Sequence, residues 1–242
     1  MSTTRVRYRF NLPNGERETF DLFFDGADFR LLNPIPKPVP FWADLSFNRC
    51  ENCPLSAAEH PACPAAAQLV GVVERIETLV SYDELRVDVL TAERSITQTT
   101  TAQQALASLF GLILSTSGCP RTAFLRPMAR FHLPLANELE TLYRSVTMHL
   151  LDQHFRRSRG ESVADDFSGL KAAYGELHPV NRGIAKRLRA ASRSDPALNA
   201  VTLLDTYASL LPNTLDQSLA ELDALFSAGR AAATNGIPGA NK

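Results

Sequence analysis

The sequence predicts an α+β protein in which two short antiparallel hairpins form one small sheet, packed on a predominantly helical body. Apolar and polar residues alternate over 5–12 and 20–24, and again over 85–89, which is the period of a half-buried strand. Beyond residue 101, apolar residues recur at helical spacing almost throughout. A lone two-stranded hairpin is marginal in water, so the two hairpins are expected to share one sheet.

The first hairpin is expected to turn through the three residues Pro13, Asn14 and Gly15. This loop places Tyr8 opposite Phe20, with the apolar residues of both strands on one face. A two-residue turn would shift the register by one position and mix the two faces. Pro13 would begin a type I turn, and Gly15 would supply its left-handed residue.

A proline-rich segment joins the first hairpin to the central region. Prolines occupy every second position from Pro34 to Pro40, and this spacing predicts an extended, semi-rigid strap. A helix is predicted over 65–81, with Pro64 at its first position, where the missing N–H is not needed. The second hairpin is completed by a strand over 94–99.

The C-terminal half is expected to form the helical body. Three regions are predicted: 1–100 with the hairpins, the strap and the cysteine loop, 101–227 as the helical body, and 228–242 as a disordered tail. The first two are equally consistent with one integrated domain. Asp195 and Asn213 are candidate N-caps. The predicted helices cover 102–114, 135–157, 163–174, 181–192, 196–211 and 214–227.

Length and composition are ordinary for a globular chain. The chain has 242 residues, 45% hydrophobic and 21% charged, with a formal net charge of −1. This charge argues against a generally basic nucleic-acid binder, and no apolar run has the length of a membrane span. The N-terminus lacks the apolar core of a signal peptide, so the cytoplasm is the expected compartment.

Four cysteines carry the main functional hypothesis: Cys50, Cys53, Cys63 and Cys119. Three of them directly precede proline. Cys63 and Cys119 are expected just before helical prolines, where backbone N–H groups favour a thiolate. Together with the Cys50/Cys53 pair, they predict one four-thiolate metal site. The site would hold structural zinc or an iron–sulfur cluster.

The function predicted from this site is a cytoplasmic metal-binding protein that acts as a structural or sensory module. Alternatives are a cluster-containing redox protein, a redox-active thiol pair, or Cys119 as a small buried hydrophobic residue. Candidates for the groups around the metal ligands are His132, His60 and Arg121. For His60 a surface histidine is the favoured interpretation, and for His132 a buried histidine between helices is favoured.

A second alternative is a regulator that binds phosphate or nucleic acid through a basic helix. Arg182, Lys186, Arg189 and Arg193 recur on one helical face, although a solvated charged face is the commoner explanation. No glycine-rich phosphate loop, nucleophile elbow or paired-carboxylate motif is present. A non-catalytic role is therefore favoured, with a protein as the expected partner and no expected membrane contact; the oligomeric state stays open. Arg156, Arg157 and Arg159 could extend the basic surface.

Four segments also indicate a family. They are Asn52-Cys53-Pro54-Leu55, the run from His60-Pro61 to Cys63-Pro64-Ala65-Ala66, Ser117-Gly118-Cys119-Pro120, and Arg130-Phe131-His132-Leu133-Pro134. With the strand Tyr8-Arg9-Phe10, they resemble an uncharacterised bacterial family that is a domain of unknown function. The resemblance extends over most of the chain. It implies no activity, but it makes the cysteine pattern less likely to be an accident of one sequence.

Overall fold

A computed structural model of the chain describes residues 2–12, 14–191 and 195–235, with side chains to residue 230. It confirms the α+β class: one antiparallel sheet packs on a helical body. The strands are β1 (Thr3–Asn11), β2 (Arg17–Asp25), β3 (Glu84–Leu90) and β4 (Ser95–Thr101). The helices are α1 (Pro64–Val73), α2 (Ala102–Thr116), α3 (Arg126–Arg130), α4 (Glu138–Ser158), α5 (Ser168–Gly175), α6 (Leu177–Ala191) and α7 (Pro196–Asn235), with short 3-10 turns at Phe41–Ala43 and Ala123–Leu125.

Both hairpins join one sheet, in the order β2-β1-β3-β4. The predicted register is confirmed, because Tyr8 pairs with Phe20 and Arg7 pairs with Asp21. The hairpin closes with a hydrogen bond of 2.8 Å from Leu12 N–H to the carbonyl of Glu16. Gly15 has a φ of 84°, the left-handed conformation expected of it. Pro13 lies outside the described residues.

Helix α2 is the central element of the core. The apolar face of the sheet lies on one side of it, and α7 packs along it on the other. Leu106, Leu109, Phe110 and Ile113 are fully buried. The helix predicted over 102–114 is therefore confirmed; it is buried on nearly all sides, and the side chain of Thr101 caps its N-terminus.

Helix α1 is shorter than predicted. It starts at Pro64, as expected, but ends at Val73 instead of continuing to 81. Ile76 and Leu79 remain buried on the turns that follow, so the turns reproduce the helical spacing of apolar residues. Side-chain oxygens hold these turns: the Asp83 carboxylate accepts from Val80 N–H, and the Asp195 carboxylate accepts from Ser81 N–H.

Helix α7 is longer than predicted and continuous through Pro212. The sequence predicts a break here, with Asn213 as the cap of a new helix, and this prediction is wrong. The side chains of Asn213 and Thr214 instead donate to the carbonyls of Ser209 and Leu210, which supports the helix backbone next to the proline. The helix continues to Asn235, and residues 236–242 lie outside the described part. The disordered tail expected over 228–242 stays a prediction.

Several boundaries in the helical body also differ from expectation. Helix α3, which is not among the predicted helices, has Pro127 in its first turn. Helix α4 begins after Asn137, which forms a reciprocal capping box with Glu140. Leu135, the predicted start, has a φ of 58° and cannot be helical. The remaining predicted helices correspond to α5 and α6 with shifted ends.

The segment that follows the strap is fastened to the helical body by a buried arginine. Arg187 on α6 is 1% exposed. Its Nη1 donates to the carbonyls of Trp42 and Asp44 at 2.7 and 2.6 Å, and its Nη2 donates to that of Leu45 at 3.1 Å. These bonds fix the segment just ahead of the cysteines. None of the helices in the described ranges is long and apolar enough to cross a membrane.

Candidate functional site

The four cysteines lie where the strap, the N-terminus of α1 and the turn after α2 approach α6. Cys63 is the N-cap of α1, as predicted, and it is buried. Cys50 and Cys53 share a tight turn, in which Cys53 N–H donates to the Cys50 carbonyl at 3.0 Å. Cys119 does not precede a helix: it lies in a turn before the 3-10 segment.

For Cys50 and Cys119, burial acts against the deprotonated thiolate that a metal ligand requires. Burial raises the pKa of Cys50 to about 12, and the neighbouring thiols of Cys63, Cys119 and Cys53 raise it further. The Cys50 thiol lies 3.9 Å from the carbonyl of Val180, as a weak donor. Burial also raises the pKa of Cys119, despite backbone N–H contacts that act the other way. Desolvation therefore outweighs the backbone dipoles and keeps these groups as thiols.

The function predicted from the cysteines is wrong. Across the described residues, no group of three or more His, Cys, Asp or Glu side chains could hold a metal ion, and all four cysteines are free. Cys63 belongs to the main hydrophobic core, and the other three pack against it. They thus behave as small hydrophobic residues. The zinc or iron–sulfur cluster named with these ligands stays a prediction from the sequence alone.

The three residues predicted to surround the cysteine site lie in three different parts of the structure. His60 is exposed, as in the surface alternative. Arg121 donates to the carbonyl of Asn52 at 2.6 Å and pairs with Glu176 at 3.1 Å, so it joins the cysteine loop to the start of α6. His132 instead contacts Tyr8 in the sheet.

Four arginines of the basic surface predicted on α6 and α4 have carboxylate partners. Arg182 faces Glu51 at 3.8 Å. Arg156 and Arg159 both pair with Glu161, and Arg157 pairs with Asp165. Arg193 lies outside the described residues. Because these guanidinium groups have carboxylate partners, they do not form a free phosphate-binding surface, and the regulator hypothesis receives no support.

A large cavity lies beside α2. Its volume is about 380 Å³, and its wall is mostly apolar. Residues from β4, α2, the segment 122–144, α5, α6 and α7 line it. Gln98, Gln104 and Asn137 are exposed lining residues, so the mouth of the cavity lies where the ends of β4, α2 and α4 meet.

A chain of hydrogen bonds lies at one wall of the cavity. The Tyr8 hydroxyl lies 2.8 Å from Ser108 Oγ and 2.5 Å from His132 Nε2. Ser108 and His132 both line the cavity, whereas Tyr8 is fully buried behind them. Ser108 Oγ also accepts from Leu135 N–H at 3.0 Å, and this bond holds Leu135 in its left-handed conformation, which is costly for a bulky residue.

Burial keeps the hydrogen-bonded side chains of Tyr8 and His132 uncharged at neutral pH. It lowers the pKa of His132 to about 3, and the nearby Arg144 guanidinium acts in the same direction. Burial raises the pKa of Tyr8 well above its ordinary value. The imidazole and the phenol are therefore both neutral, and each can donate or accept a hydrogen bond.

Arg144 on α4 provides the charge at the cavity wall. Its Nη2 donates to the carbonyls of Met128 and Phe131 at 2.7 and 3.0 Å. These carbonyls lie at the C-terminal end of α3, where oxygens have no intrahelical partner. Nearby on the wall, the Tyr174 hydroxyl lies 2.5 Å from Ser145 Oγ.

Sequence reasoning named His132 but placed it at the cysteines, and it did not single out Ser108 or Arg144. Ser108 is one of few polar residues in an otherwise apolar helix, and this signal could have marked it. Arg144 has no distinguishing signal, because it is one of many charged residues on a largely polar helix.

The chain belongs to a family described as a domain of unknown function, DUF6901, whose model matches residues 6–227. The match confirms the resemblance found in the sequence and its extent over most of the chain. Comparison with curated proteins and with solved structures gives no match.

Proposed function

We propose that this protein binds a small, mostly apolar organic molecule in the cavity beside α2. The observation that carries the proposal is the cavity itself, about 380 Å³ with a mostly apolar wall. Ligand-binding cavities in proteins typically measure about 300–1,000 Å³ and combine apolar walls with a few polar groups. Ser108, His132 and Arg144 are such groups.

The contacts of the polar wall favour binding over acyl transfer. A serine nucleophile needs a base in contact with its hydroxyl group. His132 Nε2 contacts the Tyr8 hydroxyl instead of Ser108, and its low pKa makes it a weak base at neutral pH. The same groups serve well as fixed, neutral hydrogen-bonding partners of a ligand.

The free cysteines support a place for this activity in the cytoplasm. Four unpaired cysteines packed in or against the core are typical of proteins that stay in a reducing compartment. The protein partner expected from the sequence stays a prediction.

A cavity-filling variant tests the proposal. Gly111 lines the cavity, and a Cβ atom there would lie 3.5 Å from Leu204, an ordinary contact. Gly111→Leu would therefore project its side chain into the cavity space. Gly229→Leu is the matched control, because Gly229 is exposed and has no neighbour within 4 Å of its Cβ position.

The measurement is fluorescence titration with phenylnaphthylamine, an uncharged probe whose emission rises in apolar sites. The wild type and Gly229→Leu are expected to bind one probe per chain saturably. Gly111→Leu is expected to bind about tenfold more weakly or worse, since the filled volume excludes the probe. Absence of saturable binding to the wild type, or equal binding by Gly111→Leu, would overturn the proposal.

A further inference from the structure

The cavity wall has a single ionised side chain. Among its lining residues, all within the described ranges, Arg144 is the only charged one at neutral pH, and there is no aspartate, glutamate or lysine. His132 stays neutral because burial lowers its pKa to about 3. The cavity therefore has a mostly apolar wall and one fixed positive charge.

The carboxylate that acts on this charge, Glu140 one turn earlier on α4, does so without forming an ion pair and accepts instead from Asn137 N–H. Within the described residues, Arg144 makes no ion pair, and its hydrogen bonds go to two main-chain carbonyls through Nη2. Nη1 and Nε thus remain for other partners. Burial lowers the pKa of Arg144, but a guanidinium group keeps its proton in proteins. A half-buried cation without a directly paired counter-ion is costly, and an anionic ligand would relieve that cost.

We infer that the cavity binds a monoanionic amphiphile, with its carboxylate on Arg144 and its hydrocarbon part along the apolar wall. This inference rests on the proposed function and specifies the chemical class of the ligand. One positive charge balances one carboxylate, whereas a phosphate monoester, with close to two negative charges, would need further cationic donors. Cationic ligands would meet Arg144 with like charge.

His132 contributes a neutral donor beside the cation. Tyr8 contacts Nε2, and across the described part of the chain Nδ1 makes no hydrogen bond. When the Tyr8 hydroxyl donates to Nε2, the ring proton is on Nδ1. That tautomer has an N–H group free for a carboxylate oxygen, and Ser108 completes the chain by donating to the Tyr8 oxygen.

Three ligands that share one hydrocarbon chain test the inference: octanoate, octanol and octylammonium, each used to displace phenylnaphthylamine near neutral pH. Octanoate is expected to bind about tenfold or more tightly than octanol, in line with a hydrogen bond to a charged group. Octylammonium is expected to bind more weakly than octanol. In Arg144→Gln the preference for octanoate should vanish while octanol affinity stays within a few-fold of wild type, and Arg144→Lys should retain a preference.

Each outcome separates the two proposals. Octanol binding as tight as octanoate, or a preference that survives in Arg144→Gln, overturns the carboxylate assignment but leaves the cavity as a binding site. Failure of the probe and all three ligands to bind the wild type overturns the proposed function as well. Arg144→Gln removes the donor to the carbonyls of Met128 and Phe131, so its fold is checked by circular dichroism. If the variant is unfolded, the wild-type ligand series and Arg144→Lys still decide the carboxylate assignment.

Discussion

Acidification is expected to destabilise the protein through His132. The native state resists protonation of this ring, since its folded pKa is about 3 compared with 6.5 for an unperturbed histidine. Below about pH 6.5 the His132 imidazole therefore binds a proton in the unfolded chain but not in the folded chain. The free energy of unfolding is unaffected by His132 above this pH and falls as the pH decreases toward the folded value.

The size of this effect follows from proton linkage. One pKa unit corresponds to about 1.4 kcal/mol, so the His132 contribution at about pH 4.5 is a loss of about 3 kcal/mol relative to neutral pH. His132→Gln removes the titration and keeps an acceptor near the Tyr8 hydroxyl. The variant is expected to be less stable than the wild type at neutral pH, because the imidazole packing and the contact of 2.5 Å are altered.

The assay is urea unfolding of wild type and His132→Gln, followed by circular dichroism, at about pH 7 and about pH 4.5. Carboxylates with lowered pKa values, such as Asp21 beside Arg7, destabilise both proteins equally on acidification, so their effect cancels in the difference. The stability gap between the two proteins should shift by about 3 kcal/mol in favour of the variant. Equal losses in the two proteins, or an NMR titration midpoint of His132 near 6.5, would refute the argument.

Two further substitutions test the packing around the cysteine loop by urea unfolding. Gly183→Ala places a Cβ atom 2.7 Å from Cys50 Sγ and should lower the free energy of unfolding by about 1–3 kcal/mol. Adding Cys50→Ala to the same chain should partly reverse this loss. Unchanged stability of Gly183→Ala would contradict the close approach. Arg187→Met removes the donor to three main-chain carbonyls and should lower the free energy of unfolding by about 3 kcal/mol. The exposed Arg189→Met on the same helix is the control and should change it by less than about 0.5 kcal/mol. Equal effects would show that the segment after the strap does not depend on Arg187.

Local features of the fold could be predicted because the residues that determine them are neighbours in sequence. The register of the first hairpin follows from a three-residue turn and the alternation of apolar residues on both strands, and Tyr8 pairs with Phe20 as expected. Helix ends were less predictable. Val73 ends α1 because distant groups, including Asp195, hold the following turns, and α7 passes through Pro212 against its local preference.

The site could not be predicted in the same way. The spacing of the cysteines and their flanking prolines indicate ligands, but metal binding requires a three-dimensional arrangement and deprotonated thiols, and burial of Cys50 acts against the latter. The cavity is formed by residues as distant in sequence as Ser108 and Tyr207, so no local pattern marks it. The contact of Tyr8 with His132 joins residues 124 positions apart and depends on the packing of the whole sheet against α2.

The most direct test of a ligand in this cavity is an NMR titration of the wild-type protein with octanoate. Saturable shifts of backbone amides are expected at Ser108, Gly111 and Arg144, which line the cavity. Amides of the exposed α4 residues Leu151 and Phe155 should not shift. Shifts centred on that exposed face, or no saturable shift at Ser108 and Gly111, would contradict the account.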